Sequence, residues 1–195
     1  MLMLLVAAIA IGCSSEPEAL SAPVKDATTP KASCPGCDLF NADLSFEYLY
    51  RADLSGADLG GANLSHSDLG GANLTGANLS GADLTGTDLR GSYLSNADMK
   101  GANLGCDARG CVSLRQADLT GADLSYADLS FVVLLGANLE YANLQGTNLS
   151  YADLRHAKLT RANLKGADLY RSNLDDSVDA DFTGALNVPV KYLKD

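Results

Sequence analysis

Ala52-Asp53-Leu54-Ser55-Gly56-Ala57-Asp58-Leu59 contains the fold of this chain in eight residues. Leu recurs after five positions, Ala stands two residues before each Leu, and an acidic residue separates them. A helix cannot use this order. At 100° per residue, successive Leu side chains lie 140° apart, so Leu54, Leu59, Leu64 and Leu69 wind around the axis without forming an apolar stripe. Repeated Gly, Asp and Asn also lower helix propensity. In an extended segment Ala and Leu project to one side and the residue between them to the other. A period of five then demands a corner in every unit, for which Gly, Asn, Asp and Ser are suited. No single unit can bury its own Leu, so the units must stack.

Stepping by five from Leu39 to Leu174 gives 28 positions, of which 26 are Leu; Met99 and Arg109 are the exceptions. Ala precedes this slot by two residues in 18 units, and Asp or Asn immediately precedes it in 22. Ser67, Thr87, Ser92, Thr147 and Ser172 replace Ala in five more. The unit is Ala-(Asp/Asn)-Leu-x-Gly, and the predicted fold class is an all-β solenoid.

These residues, together with Gly71-Ala72-Asn73-Leu74-Thr75-Gly76, resemble the pentapeptide-repeat family. The resemblance implies a right-handed quadrilateral parallel β-helix with four units per coil and Leu and Ala pointing inward. Twenty-eight units would make about seven coils, about 34 Å long at the usual strand spacing. The expected organisation is an export or lipoprotein signal over 1–12, a flexible tether over 13–33, the solenoid over 34–186 and a C-terminal cap or tail over 187–195. Ala180-Asp181-Phe182 is a unit displaced by three from the array. Beyond it, Pro189, Lys191 and Lys194 suit a segment that blocks an open sheet edge.

Met1 to Ile11 is apolar and uncharged. It is too short for a membrane span, which takes about 20 residues, but fits the apolar region of an export signal. Ala10-Ile11-Gly12-Cys13 resembles a bacterial lipoprotein processing site. That resemblance implies a lipid on Cys13 and, with Ser14 following it, sorting to the outer membrane, facing the periplasm or the cell surface. Ser14 to Ser33 is rich in Ser, Ala, Pro and Glu and lacks periodicity, as a flexible tether does.

The remaining cysteines allow three pairings. In a coil of four units, Cys37 and Cys106 lie about 17 Å apart, beyond the roughly 7 Å Cα separation a disulfide tolerates. That leaves Cys34–Cys37 and Cys106–Cys111, two local clips suited to an oxidising compartment. A metal centre at Cys34-x-x-Cys37 lacks further ligands nearby at suitable spacing. Asp107 and Arg109 would fall on inward positions where unpaired charge is expensive, so Gly105 to Ser113 is expected to bulge out as a loop.

Net charge is −10, which disfavours direct nucleic-acid binding. From Asp38 to Ala108 ten acids face three bases, and from Arg109 to Asp176 eight acids face seven. No catalytic constellation, metal or cofactor is expected. His66 and His156 are the two histidines, and an unbroken array puts them four and a half coils apart on opposite faces. One outward patch breaks the pattern: Phe131, Val133 and Leu135 stand where other units carry Gly, Asp or Ser, and Tyr126, Tyr141 and Tyr151 share Phe131's position in their own units. Exposed apolar clusters mark contacts; cover by the C-terminal tail is the competing reading. The expected function is a non-catalytic, lipid-anchored scaffold or interaction module whose partner is another protein. The alternative is cytoplasmic: some members of the family are acidic dimeric rods that resemble duplex DNA and occupy the DNA-binding saddle of type II topoisomerases.

Overall fold

A repeat unit has five backbone N–H groups, four of which go to backbone carbonyls and the fifth to a side chain. In the unit starting at Asp58, Asp58 N–H donates to the Cys37 carbonyl of the preceding coil (2.8 Å) and Leu59 N–H to Asn78 O of the next (2.7 Å). Gly61 N–H reaches Ser80 O (2.8 Å), and Ala62 N–H closes the corner onto Leu59 O (3.0 Å). The fifth donor, Gly60 N–H, has no backbone acceptor and is taken by the Asp58 carboxylate (3.1 Å). Buried amides left unpaired would be expensive, and here none is left over.

The computed structural model describes residues 33–193. The expected signal over 1–12, Cys13 and the tether up to residue 32 lie outside the described residues. Parallel bridges join residues 20 apart, as in Asp38↔Asp58↔Asn78↔Asp98, so four units make one turn of a four-sided solenoid. The first side carries Asp53, Asn73, Tyr93, Asp118, Asn138 and Lys158; the second Asp58, Asn78, Asp98, Asp123, Asn143 and Asn163. The third carries Asp43, Asn63, Asp83, Asn103, Asp128, Asn148 and Asp168; the fourth Tyr48, Asp68, Asp88, Ser113, Val133, Asp153 and Asn173. Leu and Ala fill the interior, with Leu54 to Leu94 at 0–1% exposure. Where Ser or Thr replaces Ala, its hydroxyl is buried but donates to a corner carbonyl: Ser67 and Thr87 both reach Leu64 O, at 2.7 and 2.8 Å.

The array is interrupted once. After Asn103 the bridge spacing becomes 25, with Asp88 pairing to Ser113 and Asn103 to Asp128. Gly105 to Cys111 leaves the wall, and Leu104 and Val112 on either side stay fully buried. The excursion is shorter than expected, because Ser113 is already back in the ladder. Arg109 takes no inward slot and is exposed. Skipping one unit also turns everything downstream by a quarter of a coil, so His156 sits one corner away from the column of His66, not on the opposite face.

Both ends are finished by side chains. Cys34 takes a Leu position and Cys37 an Ala position in the first coil, their Cα atoms 5.4 Å apart and their sulfurs at disulfide distance. At the far end Val178 still pairs with Lys158, but Leu186 pairs with Asp168 after only 18 residues. The slip brings Phe182, Ala185, Val188 and Tyr192 against the last core residues. Leu174 N–H has no further coil to bond, and the Tyr192 hydroxyl accepts from it at 2.8 Å. A single 3-10 turn, Val190–Tyr192, aims that ring, and Lys191 reaches Asp175 at 2.7 Å.

Leu54 and Leu94 are locked above and below Leu74 by backbone ladders, so a hole at Leu74 cannot collapse. Leu74→Ala is expected to lose about 3–5 kcal/mol in urea unfolding. Tyr192→Phe removes a hydroxyl that accepts from Leu174 N–H and donates toward Asp175 Oδ1 (2.9 Å) and Asn173 Oδ1 (3.1 Å), and is expected to lose about 1–2 kcal/mol.

Candidate interaction surface

Asp and Asn earn their place by the bond that Gly60 illustrates. In all 22 units with Asp or Asn before the slot, the carboxylate or amide oxygen accepts the N–H two residues on. Stacking these side chains coil on coil would pile up negative charge. On the third side Asp and Asn alternate, and the Asn amide donates to the carboxylate below it: Asn63 to Asp43 (3.1 Å), Asn148 to Asp128 (3.0 Å). The acidic ladder is thus a structural device.

The fourth side departs from it. Val133 replaces Asp, so the Leu135 N–H has no side-chain acceptor of this kind. Val133 and Leu135 are half-buried, and Phe131, on the adjoining corner, is 51% exposed. One coil on, Tyr151 stacks on Phe131 with centroids 4.7 Å apart and planes 4° from parallel. Tyr170 meets Tyr151 edge-on at 5.6 Å, and the Arg171 guanidinium lies over both rings at 5.8 and 5.4 Å. The structure thus groups Phe131, Val133, Leu135 and Tyr151. It places Tyr126 and Tyr141 on two other corners, where Tyr126 bonds Gln145 (3.0 Å) and Tyr141 lies under Arg161. The C-terminal tail contacts Asn173, Leu174 and Asp175 at the end of this side and leaves Phe131 open.

The corner position has positive φ in every regular unit: Gly56 at 66°, Phe131 at 61°, Tyr151 at 59°. Gly adopts this conformation freely, whereas an L side chain there costs about 1–2 kcal/mol. A stacked aromatic pair returns about 0.5–1.5 kcal/mol. The rings at this corner therefore gain the fold little or nothing.

Sequence reading missed the participation of Tyr170 and Arg171, and missed a second stacked pair, Phe46 and His66 with centroids 5.0 Å apart. The signal was present as a period of 20 at corner positions. Near the N-terminal end Tyr50, Arg51, Arg90 and Tyr93 line an open groove of about 770 Å³. Arg90 is committed there to a two-pronged bond with Asp88. Cys106 and Cys111 lie at disulfide distance, with Cα atoms 4.1 Å apart. Among the described residues no three His, Cys, Asp or Glu side chains are grouped to hold a metal, and no helix is long and apolar enough to cross a membrane.

A four-sided β-solenoid with side-chain-capped ends and an apolar break in one acidic wall defines a class of repeat protein that presents surface. Sequence comparison makes this specific. The profile for pentapeptide repeats matches successive overlapping segments from residue 32 to residue 176, and the chain belongs to this family of right-handed quadrilateral β-helices. HetL, a pentapeptide-repeat protein involved in heterocyst differentiation regulation in the cyanobacterium Nostoc sp. strain PCC 7120, is 38% identical over 74% of this chain and 73% of its own, with a TM-score of 0.36. QnrB1, a plasmid-mediated fluoroquinolone resistance protein, is 26% identical over 78% of each chain with a TM-score of 0.52. A thylakoid-lumen pentapeptide-repeat protein of Arabidopsis thaliana is 33% identical over 53% of this chain and 66% of its own, with a TM-score of 0.30. None of the curated proteins compared matches. Pentapeptide-repeat proteins are generally non-catalytic.

Val133→Asp restores the missing turn acceptor and is expected to stabilise the isolated protein by about 0.5–1.5 kcal/mol. Phe131→Asp with Leu135→Asp should leave the circular dichroism spectrum unchanged; unfolding of that variant would show the patch to be internal. Hydrogen bonds from the Arg155 guanidinium hold the Asp153 carboxyl below its ordinary value against a smaller opposing effect of burial. That stabilisation is complete above the unfolded value of about 3.9 and vanishes as pH falls through the folded one. Asp153→Asn keeps the turn acceptor, so its stability deficit at pH 7 should disappear by about pH 2.

Proposed function

We propose that this chain is a non-catalytic, lipid-anchored scaffold of the cell envelope. Its cargo is another protein, docked on the edge formed by Phe131, Val133, Leu135 and Tyr151. The observation that carries this reading is Val133. The fold has a better residue for that position, used on 22 other units, and Val133 gives up a turn hydrogen bond to keep the wall apolar next to two strained, exposed rings. A partner carbonyl placed there would meet the Leu135 N–H between apolar flanks. Tyr170 and Arg171 extend the surface with the residue types enriched at interfaces.

Envelope location rests on two supports: the lipoprotein-like Ala10-Ile11-Gly12-Cys13, and the two cysteine pairs at disulfide distance, which persist in oxidising compartments. In this reading Cys13 carries the lipid and the outer membrane is the site of action. A cytoplasmic reading draws on the net charge of −10 and the likeness to QnrB1: an acidic rod acting as a DNA mimic on a type II topoisomerase.

Fractionation and mass measurement of the mature N-terminus separate the two. The envelope reading requires a diacyl or triacyl group on Cys13, and an intact Met1 in the cytosolic fraction overturns it. In the envelope, a photo-crosslinker at Phe131 should yield a discrete protein adduct that Val133→Asp abolishes despite its higher stability. Equal crosslinking by both chains would remove the patch from consideration.

A further inference from the structure

The excursion over Gly105–Cys111 does not hang free. Its Asp107 carboxylate meets His66 Nε2 at 3.1 Å, 41 residues back, and the Arg109 guanidinium lies over the Phe46 ring at 5.2 Å. Coil by coil, the corner between the third and fourth sides carries Phe46, His66, Gly86 and Cys106, so the loop reaches back about 10 Å along the axis to touch His66. Gly86 makes the contact feasible. A Cβ there would lie 2.5 Å from His66 Nδ1, so only Gly lets the imidazole lie flat over that corner, against Phe46 on its other face. The loop tip is shaped for the task, since Asp107 also accepts from Arg109 N–H (2.8 Å) and Gly110 N–H (3.1 Å). The outcome is a histidine whose side chain is 16% exposed, while that of His156 is 62% exposed.

From this geometry we infer that the loop closed by Cys106 and Cys111 is a redox-operated latch over the Phe46–His66 pair. Oxidised, the disulfide confines the four residues between its ends and holds Asp107 and Arg109 within reach of the corner. A dithiol reductant delivers two electrons and two protons, breaks the Sγ–Sγ bond to give two thiols, and is itself oxidised to its disulfide. The loop then loses its closure, the Asp107–His66 contact opens, and the His66 imidazole is uncovered beside a Phe46 ring that is already 62% exposed. The solenoid itself does not need the loop, because Leu104 and Val112 remain in the wall and Asp88 still pairs with Ser113.

The two histidines supply the measurement, His156 serving as an internal reference in the same chain. Diethyl pyrocarbonate labelling read by mass spectrometry should modify His156 at least about tenfold faster than His66 in the oxidised protein. In Cys106→Ser/Cys111→Ser, which leaves Cys34–Cys37 intact, the two rates should converge to within about threefold, with an unchanged circular dichroism spectrum. Asp107→Ala should raise the His66 rate with the disulfide still closed. A His66 that stays protected in the double serine variant overturns the redox control. One that stays protected in all variants overturns the latch, since Phe46 and Gly86 alone would then account for the shielding.

Discussion

The N–H of the residue after each Leu is the constraint around which this molecule is arranged. Four of the five amides in a unit are satisfied by backbone carbonyls, and this one finds no carbonyl in its own or a neighbouring coil. Asp or Asn two residues earlier solves the problem locally. The solution has a consequence, because a residue chosen for a turn is repeated on every coil and becomes a column of carboxylates. Asn performs the same turn service without charge and can also donate to the carboxylate beneath it. The alternation on the third side is therefore the arrangement in which both the turns and the column are satisfied.

Twenty-two units obey this rule, and the departures at Tyr48, Tyr93, Ser113, Val133 and Lys158 stand out against it. Surface positions of ordinary globular proteins tolerate most residues, and an exposed Val or Phe there carries little meaning. In this wall an outward, half-buried Val forfeits a specific hydrogen bond, and an exposed Phe at a corner adopts a backbone region that Gly enters freely. Both occur within three residues at Phe131 and Val133, and the next coil adds Tyr151 at the same corner. Local stability and local sequence disagree at this edge.

Most of the fold could be read from the spacing alone. A Leu every five residues excludes a helix, and Ala two before it sets the inward face, so the buried set at Leu54, Leu59 and Leu64 follows without coordinates. The lateral arrangement was harder. Which outward residues share a corner depends on units per coil and on whether the cysteine loop counts as a unit, and neither is a property of one repeat. Phe131 and Tyr151 are 20 residues apart and meet; Tyr141 is nearer in sequence and sits around the solenoid. His66 and His156 were displaced by the same quarter turn. The contact between Asp107 and His66 was unreadable because a loop outside the periodic array obeys none of its rules.

The ends and the loop follow from the one-dimensional character of the stack. Each coil touches only its neighbours, so stability accumulates along the axis and is lowest where a neighbour is missing. Neither cysteine pair ties distant coils together, and with a rise near 4.8 Å per coil few pairs could. Cys34–Cys37 instead narrows the freedom of the first coil, where Ser33 and Cys34 have only one coil to bond. Tyr192 performs the matching service at the opposite end by offering Leu174 the oxygen that a further coil would have supplied. With both ends closed by these means, a disulfide spent on Cys106–Cys111 adds nothing the stack requires. Its effect falls on the surface, on how much of the Phe46–His66 corner is open.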